Sequence, residues 1–354
     1  MRNSVIAVGS VGLAVLAACG GADATRPVPS DVLDAVSVGA TASRVAAIMN
    51  QPILAAVMAG RSGPFASIDR IGARVPLPVA SASRLVPDVR GSRAPLVVHS
   101  GAQFTPDAPA EALIADSLLG KTLVSDTRGR FVVDPSLTGA PSNGVRFVIS
   151  KSLGYADVTS STAGAASTVT LDVKNADGSV VMHDVATTSY VGTDGTTAYA
   201  GYVTDGTDRI DYTVSEEQTG NRLVLKSGFG STSLKFAAGD TIVVNAPTAG
   251  DTSVSRVTLG STVVRMVTPT VPDPGASGVF IASDTAAVMV NGVRVAQAVT
   301  NSAGARSVIG LNGSTLSADD TSALMSVTKI AAALEAVIAP PMVVGFWLSQ
   351  LAVP

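Results

Sequence analysis

The chain has 354 residues, of which 14% are charged and 4% aromatic, and its formal net charge is −3. Its basic residues are scattered singly, so no nucleic-acid surface is expected. Two histidines, four glutamates and one cysteine in the whole chain rule out an internal disulfide and starve most metal and paired-carboxylate designs; no cofactor and no metal are expected.

In chain order, Arg2 is followed by an uncharged apolar run from Val5 to Leu16. About a dozen residues fall short of the roughly twenty that span a bilayer, so the run reads as the core of a secretory signal. It ends in Leu16-Ala17-Ala18-Cys19-Gly20, which resembles the lipobox of bacterial lipoproteins; the match covers residues 1–21. The resemblance implies cleavage before Cys19, diacylglycerol on its sulfur and a further acyl chain such as palmitate on the new N-terminus. Two or more chains anchor a protein stably where one does not. Gly20 after the cysteine resembles the pattern associated with the outer membrane, so the expected address is the bacterial cell envelope, with the membrane as a partner through the lipid anchor.

The remainder reads as follows. Residues 1–18 are the signal peptide and residues 19–30, rich in Gly, Ala, Thr and Pro, a lipidated tether. Residues 31–119 form a helical and irregular, proline-rich segment. Within it, Val45, Ile48 and Met49, then Ile53, Leu54 and Val57, recur at helical spacing around Pro52, which predicts two short helices broken near that proline. A further turn or more of helix is expected over 110–119, stopped at Gly120.

From residue 120 to 316 the period changes to two. Val145, Phe147 and Ile149, then Val169, Leu171 and Val173, then Ile210, Tyr212 and Val214 alternate with their neighbours, the mark of strands with one buried face. Asp177-Gly178, Asp194-Gly195, Asp205-Gly206, Gly220-Asn221 and Asn291-Gly292 read as hairpin turns. Ser317 and Asp320 form a capping-box pattern ahead of Leu324, Val327, Ala331, Leu334 and Ile338 on one helical face. Residues 317–354 are therefore a C-terminal helix and an apolar tail containing Trp347. The expected fold is mainly β with flanking helices (α+β): an antiparallel meander forming a curved sheet or partial barrel, covered by N- and C-terminal helices, with 31–354 as one domain.

Few motifs carry chemistry. Residues 115–122 fit a loose phosphate-loop pattern, but a helical segment leads in and a strand leads out, the reverse of what such a loop requires. Ser326-Val327-Thr328-Lys329 matches the S-x-x-K signature of serine β-lactamases and penicillin-binding proteins; only 25 residues follow Lys329, too few for the family's later elements. The plainer reading is an exposed Ser and Lys on the polar side of a helix. His183 adjoins Asp184, yet strand neighbours face opposite ways, and His99 is the sole other imidazole. Glu216-Glu217 is expected at a solvated hairpin end and Asp319-Asp320 in a first helical turn. The expected function is a non-catalytic binding or structural module, with an apolar or lipid-like ligand as the occupant to look for; the alternative is an exported serine hydrolase using Ser326 and Lys329.

Overall fold

The computed structural model describes residues 32–59, 114–126, 131–311 and 315–337, apart from 164–165, 192–193, 220–221, 246, 276, 302–305 and 336. The expected signal, Cys19 and tether, the proline-rich 60–113 with His99, the Gly220-Asn221 turn, Ile338 and the apolar tail with Trp347 lie outside the described residues.

Two helices flank Pro52 as expected: α1 (Ala35–Met49) and α2 (Pro52–Ala59). Asp34 caps α1 by accepting from the backbone N–H groups of Val36 and Ser37, which satisfies two of the orphan donors at a helix start. Proline at the first position of α2 loses no bond, because its missing N–H would have had no helical partner. Of the turn or more of helix expected over 110–119, residues 110–113 lie outside the described residues. Among the rest, Asp116–Leu118 is helical, as a single 3₁₀ turn, and Gly120 turns the chain with φ +73°.

Among the described residues sixteen strands follow, in one open sheet. The first two are β1 (Lys121–Ser125) and β2 (Phe131–Val133), and β3 (Gly144–Ser150) through β12 (Thr262–Pro272) run as consecutive antiparallel neighbours. β13 (Phe280–Ala282) caps the far end of β12, while β14 (Thr285–Val290), β15 (Val293–Thr300) and β16 (Arg306–Gly310) continue the meander. The sheet is curved and does not close, since β2 lies at one edge and β16 at the other. One departure from a pure meander occurs at its start. β1 pairs antiparallel with β2 but parallel with β3, so that β1 lies between them.

Asp177-Gly178, Asp205-Gly206 and Asn291-Gly292 are turns, with glycine φ of +88°, +90° and +84°. Asp194-Gly195 is not. Both residues belong to β7 (Asp194–Thr204), and Asp194 stands opposite Val191 across the hairpin, so pairing begins where the dipeptide predicted a bend.

Register aligns the apolar sets on one face. Phe147 stands opposite Ala156, Ala156 opposite Val173, Val173 opposite Met182, Met182 opposite Val203 and Val203 opposite Ile210, and all six are buried. This inner face is covered by α1, α2 and α3 (Ala318–Glu335). α3 packs along α1 and reaches β11 (Thr252–Leu259) and β16, while α2 lies over β3 and β5 (Ala166–Asn175). Val45 and Ile48, Ile53, Leu54 and Val57, and Leu324, Val327 and Leu334 join the sheet in one contiguous core. Each such side chain contributes about 1.5–3 kcal/mol by leaving water.

Candidate functional site

The outer face of β3–β8 carries the most chemically varied row of side chains. Cross-strand register places Arg146, Asp157, Asp172, His183, Tyr202 and Asp211 in line over β3, β4 (Gly154–Ala163), β5, β6 (Val180–Val191), β7 and β8 (Arg209–Thr219). The Arg146 guanidinium grips Asp157 with two bonds, Nε–Oδ1 at 2.6 Å and Nη2–Oδ2 at 2.9 Å, and lies 3.7 Å over the Tyr155 ring. Lys174 Nζ bridges Asp157 and Asp172 at 3.1 and 3.5 Å. Farther along, Arg209 binds Asp211 and stacks 3.8 Å over Tyr202.

His183 sits in the middle of this row. Its Nδ1 is 2.7 Å from Asp172 Oδ1, and its ring leans on Tyr202 with centroids 5.6 Å apart. A carboxylate on Nδ1 fixes the ring's orientation and leaves Nε2 directed elsewhere. The side chain is 34% exposed. Asp184, its neighbour in sequence, faces the opposite way and is 1% exposed, as strand alternation requires. The partner is Asp172, five residues before Asp177 as His183 is five after Gly178; symmetry about that turn was the signal available in the sequence. Among the described residues, no three His, Cys, Asp or Glu side chains come together in a way that would hold a metal ion.

Polar groups also occupy the inner face. Gly201 stands between Asp184 and Tyr212 in the register, and with no side chain there the Tyr212 hydroxyl crosses β7 to donate to Asp184 Oδ1 at 2.6 Å. Burial pushes the Asp184 carboxyl up to about 6, against the pull of the Tyr212 hydrogen bond and the nearby His183. The Tyr212 hydroxyl is raised by burial and by the neighbouring carboxylate. Glu216 corrects an expectation: it lies not at a solvated hairpin end but on the inner face opposite Leu225, 8% exposed, where burial lifts its carboxyl to about 7. Glu217 faces out and is bound by Lys226 at 2.8 Å.

Of the S-x-x-K residues, Ser326 departs from the expected exposure and Lys329 keeps it. Ser326 is 7% exposed, facing α1 close to Gly39, where an added Cβ would meet its Oγ at 3.8 Å, whereas Lys329, one turn further along, is exposed. The two side chains do not present a shared open site. Residues 115–122 follow the order read from the sequence, a short helical turn before strand β1, and Asp319 and Asp320 lie in the first turn of α3.

The outer face beyond β8 is different again. A cleft of about 670 Å³ opens over β9 (Arg222–Ser231), β10 (Phe236–Asn245), β11 and β12. Gly239, Thr241, Arg256, Val263, Arg265 and Asn291 line it. The fold and these surfaces together define a mainly β protein whose open sheet is plugged by helices on one side and bears charged and aromatic rows on the other. No protein-family model matches the chain, and a search of curated proteins gives no match. No helix among the described residues is long and apolar enough to cross a membrane.

Proposed function

We propose that this protein is an envelope lipoprotein, held in the outer membrane by acyl chains on Cys19, that acts as a non-catalytic binding module through the outer face of its sheet. The observation carrying this reading is the division of labour between the two faces. α1, α2 and α3 cover the inner face with buried apolar side chains, while the outer face carries a polar row in which Asp211 is exposed, Arg146, Asp172, His183 and Tyr202 are half-buried and Asp157 is buried. Solvent-facing cation–aromatic stacks and forked ion pairs are suited to recognition of polar partners. Nothing in the placement of Ser326 and Lys329 favours the hydrolase alternative.

Fractionation of cells expressing the parent chain and Cys19→Ala tests the anchor. The parent should pellet with membranes and yield an acylated N-terminal cysteine by mass spectrometry, and the variant should be released. A Cys19→Ala chain that pellets like its parent after a high-salt wash overturns this reading.

A further inference from the structure

The arginines whose side chains the structure describes fall into two sets. Arg44, Arg146, Arg209 and Arg222 each hold an aspartate with a two-pronged grip. Arg256, Arg265 and Arg294 hold no carboxylate among the described residues, although all three are exposed on one face of the sheet. Register sets them in a row: Arg256 stands opposite Arg265, Arg265 opposite Met289, and Met289 opposite Arg294. Like charges directly opposite one another on a sheet are destabilising. A chain of net charge −3 in which Arg44, Arg146, Arg209 and Arg222 are paired leaves this trio without a carboxylate among the described residues.

The row adjoins a floor without side chains. Gly228 pairs with Gly239, and Gly239 pairs with Arg256, so the outer surface beside the guanidinium groups is bare backbone and the cleft lies over it. At the rim, Asn291 adopts φ +49° and its Oδ1 accepts from the Val263 N–H at 2.9 Å. A backbone N–H can bond only an acceptor, so the Asn291 side-chain NH₂ remains as a further donor. Asp240 also lines the cleft, but it follows Gly239 on the strand and its side chain belongs to the inner face, where it is buried opposite Ser227 and Ser255. The outward carboxylate of Glu217 is taken by Lys226.

We propose that this cleft binds a ligand bearing two or more phosphate-type oxyanions, which rests on the outer-face reading given above and names its ligand chemistry. One arginine matches one carboxylate, as the four paired examples show. Two arginines opposite each other match a tetrahedral dianion that offers oxygens to both guanidinium forks. Arg294 lies two strands beyond Arg265, about 10 Å away at the strand spacing, within reach of a second oxyanion on the same ligand. Soluble polyphosphate and a phosphate-bearing lipid headgroup share this chemistry.

The test is calorimetric titration of the full chain with sodium tripolyphosphate at low and high salt, alongside cosedimentation of Cys19→Ala with phosphatidylglycerol and phosphatidylcholine vesicles. Saturable tripolyphosphate binding that weakens with salt, lost tenfold or more in Arg256→Gln/Arg265→Gln and unchanged in Arg44→Gln on α1, is the expected result. Pelleting with phosphatidylglycerol vesicles alone, again dependent on Arg256 and Arg265, assigns the oxyanion to a lipid. Should the double variant not fold, Arg294→Gln carries the test with a several-fold loss. Neither probe binding, or equal loss in Arg44→Gln, overturns the proposal. Retention of Cys19→Ala on cell membranes after a high-salt wash, which strips charge-held protein, would instead sink the anchor and leave the titration untouched.

Discussion

At the scale of single residues, two of the acids buried on the inner face have carboxyls lifted by that burial. Asp184 and Glu216 hold their protons to about pH 6 and about pH 7 when folded, but would release them near pH 4 in the unfolded chain. The folded state therefore binds more protons in that window. The stability so conferred is complete below about pH 4 and disappears as pH rises through the two folded values. Asp208 and Asp251 act in the opposite sense at the acid end, since the Arg44 and Arg222 guanidinium groups hold their carboxyls below the usual range. Thermal midpoints should be highest near about pH 5 and fall toward pH 8. Glu216→Gln should raise stability at pH 8 by up to about 3 kcal/mol, with little change at pH 5; equal effects at both values would rule out the ionisation of Glu216 as the cause. Tyr212→Phe removes the hydroxyl that Asp184 accepts from and should cost about 1–3 kcal/mol at pH 8, as a buried acceptor is left unmatched. Chemical denaturation of each variant at the two pH values reads both.

At the scale of elements, helices depend on local signals and were legible; side-chain partners in strands depend on register and were not. Val45, Ile48, Ile53, Leu54 and Val57 disclosed α1 and α2 by spacing, and Ser317 disclosed the start of α3. There Ser317 Oγ accepts from the Asp320 N–H at 3.0 Å and donates to its carboxylate at 2.6 Å. Ser317→Ala should cost about 1 kcal/mol, measured as a shift in the denaturant midpoint at constant slope. Leu324 is 1% exposed where α3 meets the rest of the core, and Leu324→Ala should cost about 2–5 kcal/mol. A smaller loss, within experimental error of zero, would mean that α3 is not fastened to the sheet. Glu216 was misread because adjacent acids suggest solvent, whereas alternation of two sends one of any adjacent pair inward. Ser326 was misread for a related reason: helix α3 is covered on more of its circumference than one apolar stripe implies, because α1 packs beside it as well as the sheet below.

At the scale of the whole molecule, the antiparallel meander from Lys121 to Leu311 and its helical cover were legible because turn dipeptides and period-two alternation are local. The parallel pairing of β1 with β3 was not, since nothing in a short strand states which neighbour it will choose. Gly201 illustrates how such choices propagate. A Cβ there would come within 2.0 Å of the His183 carbonyl oxygen, so the β6–β7 register, the Tyr212–Asp184 bond above it and the His183 row beneath it all rely on that one missing methyl. Gly201→Ala should lower the thermal midpoint sharply, and a variant as stable as its parent would show that the two strands have room to separate.

An arc of strands that never joins up must end somewhere. Here it ends on β2, three residues long, and on β16, five residues long. Such stubs offer an incoming chain only a few backbone hydrogen bonds to take up, too few for lengthy strand addition. The molecule can thus stay unzipped at both margins without polymerising through them.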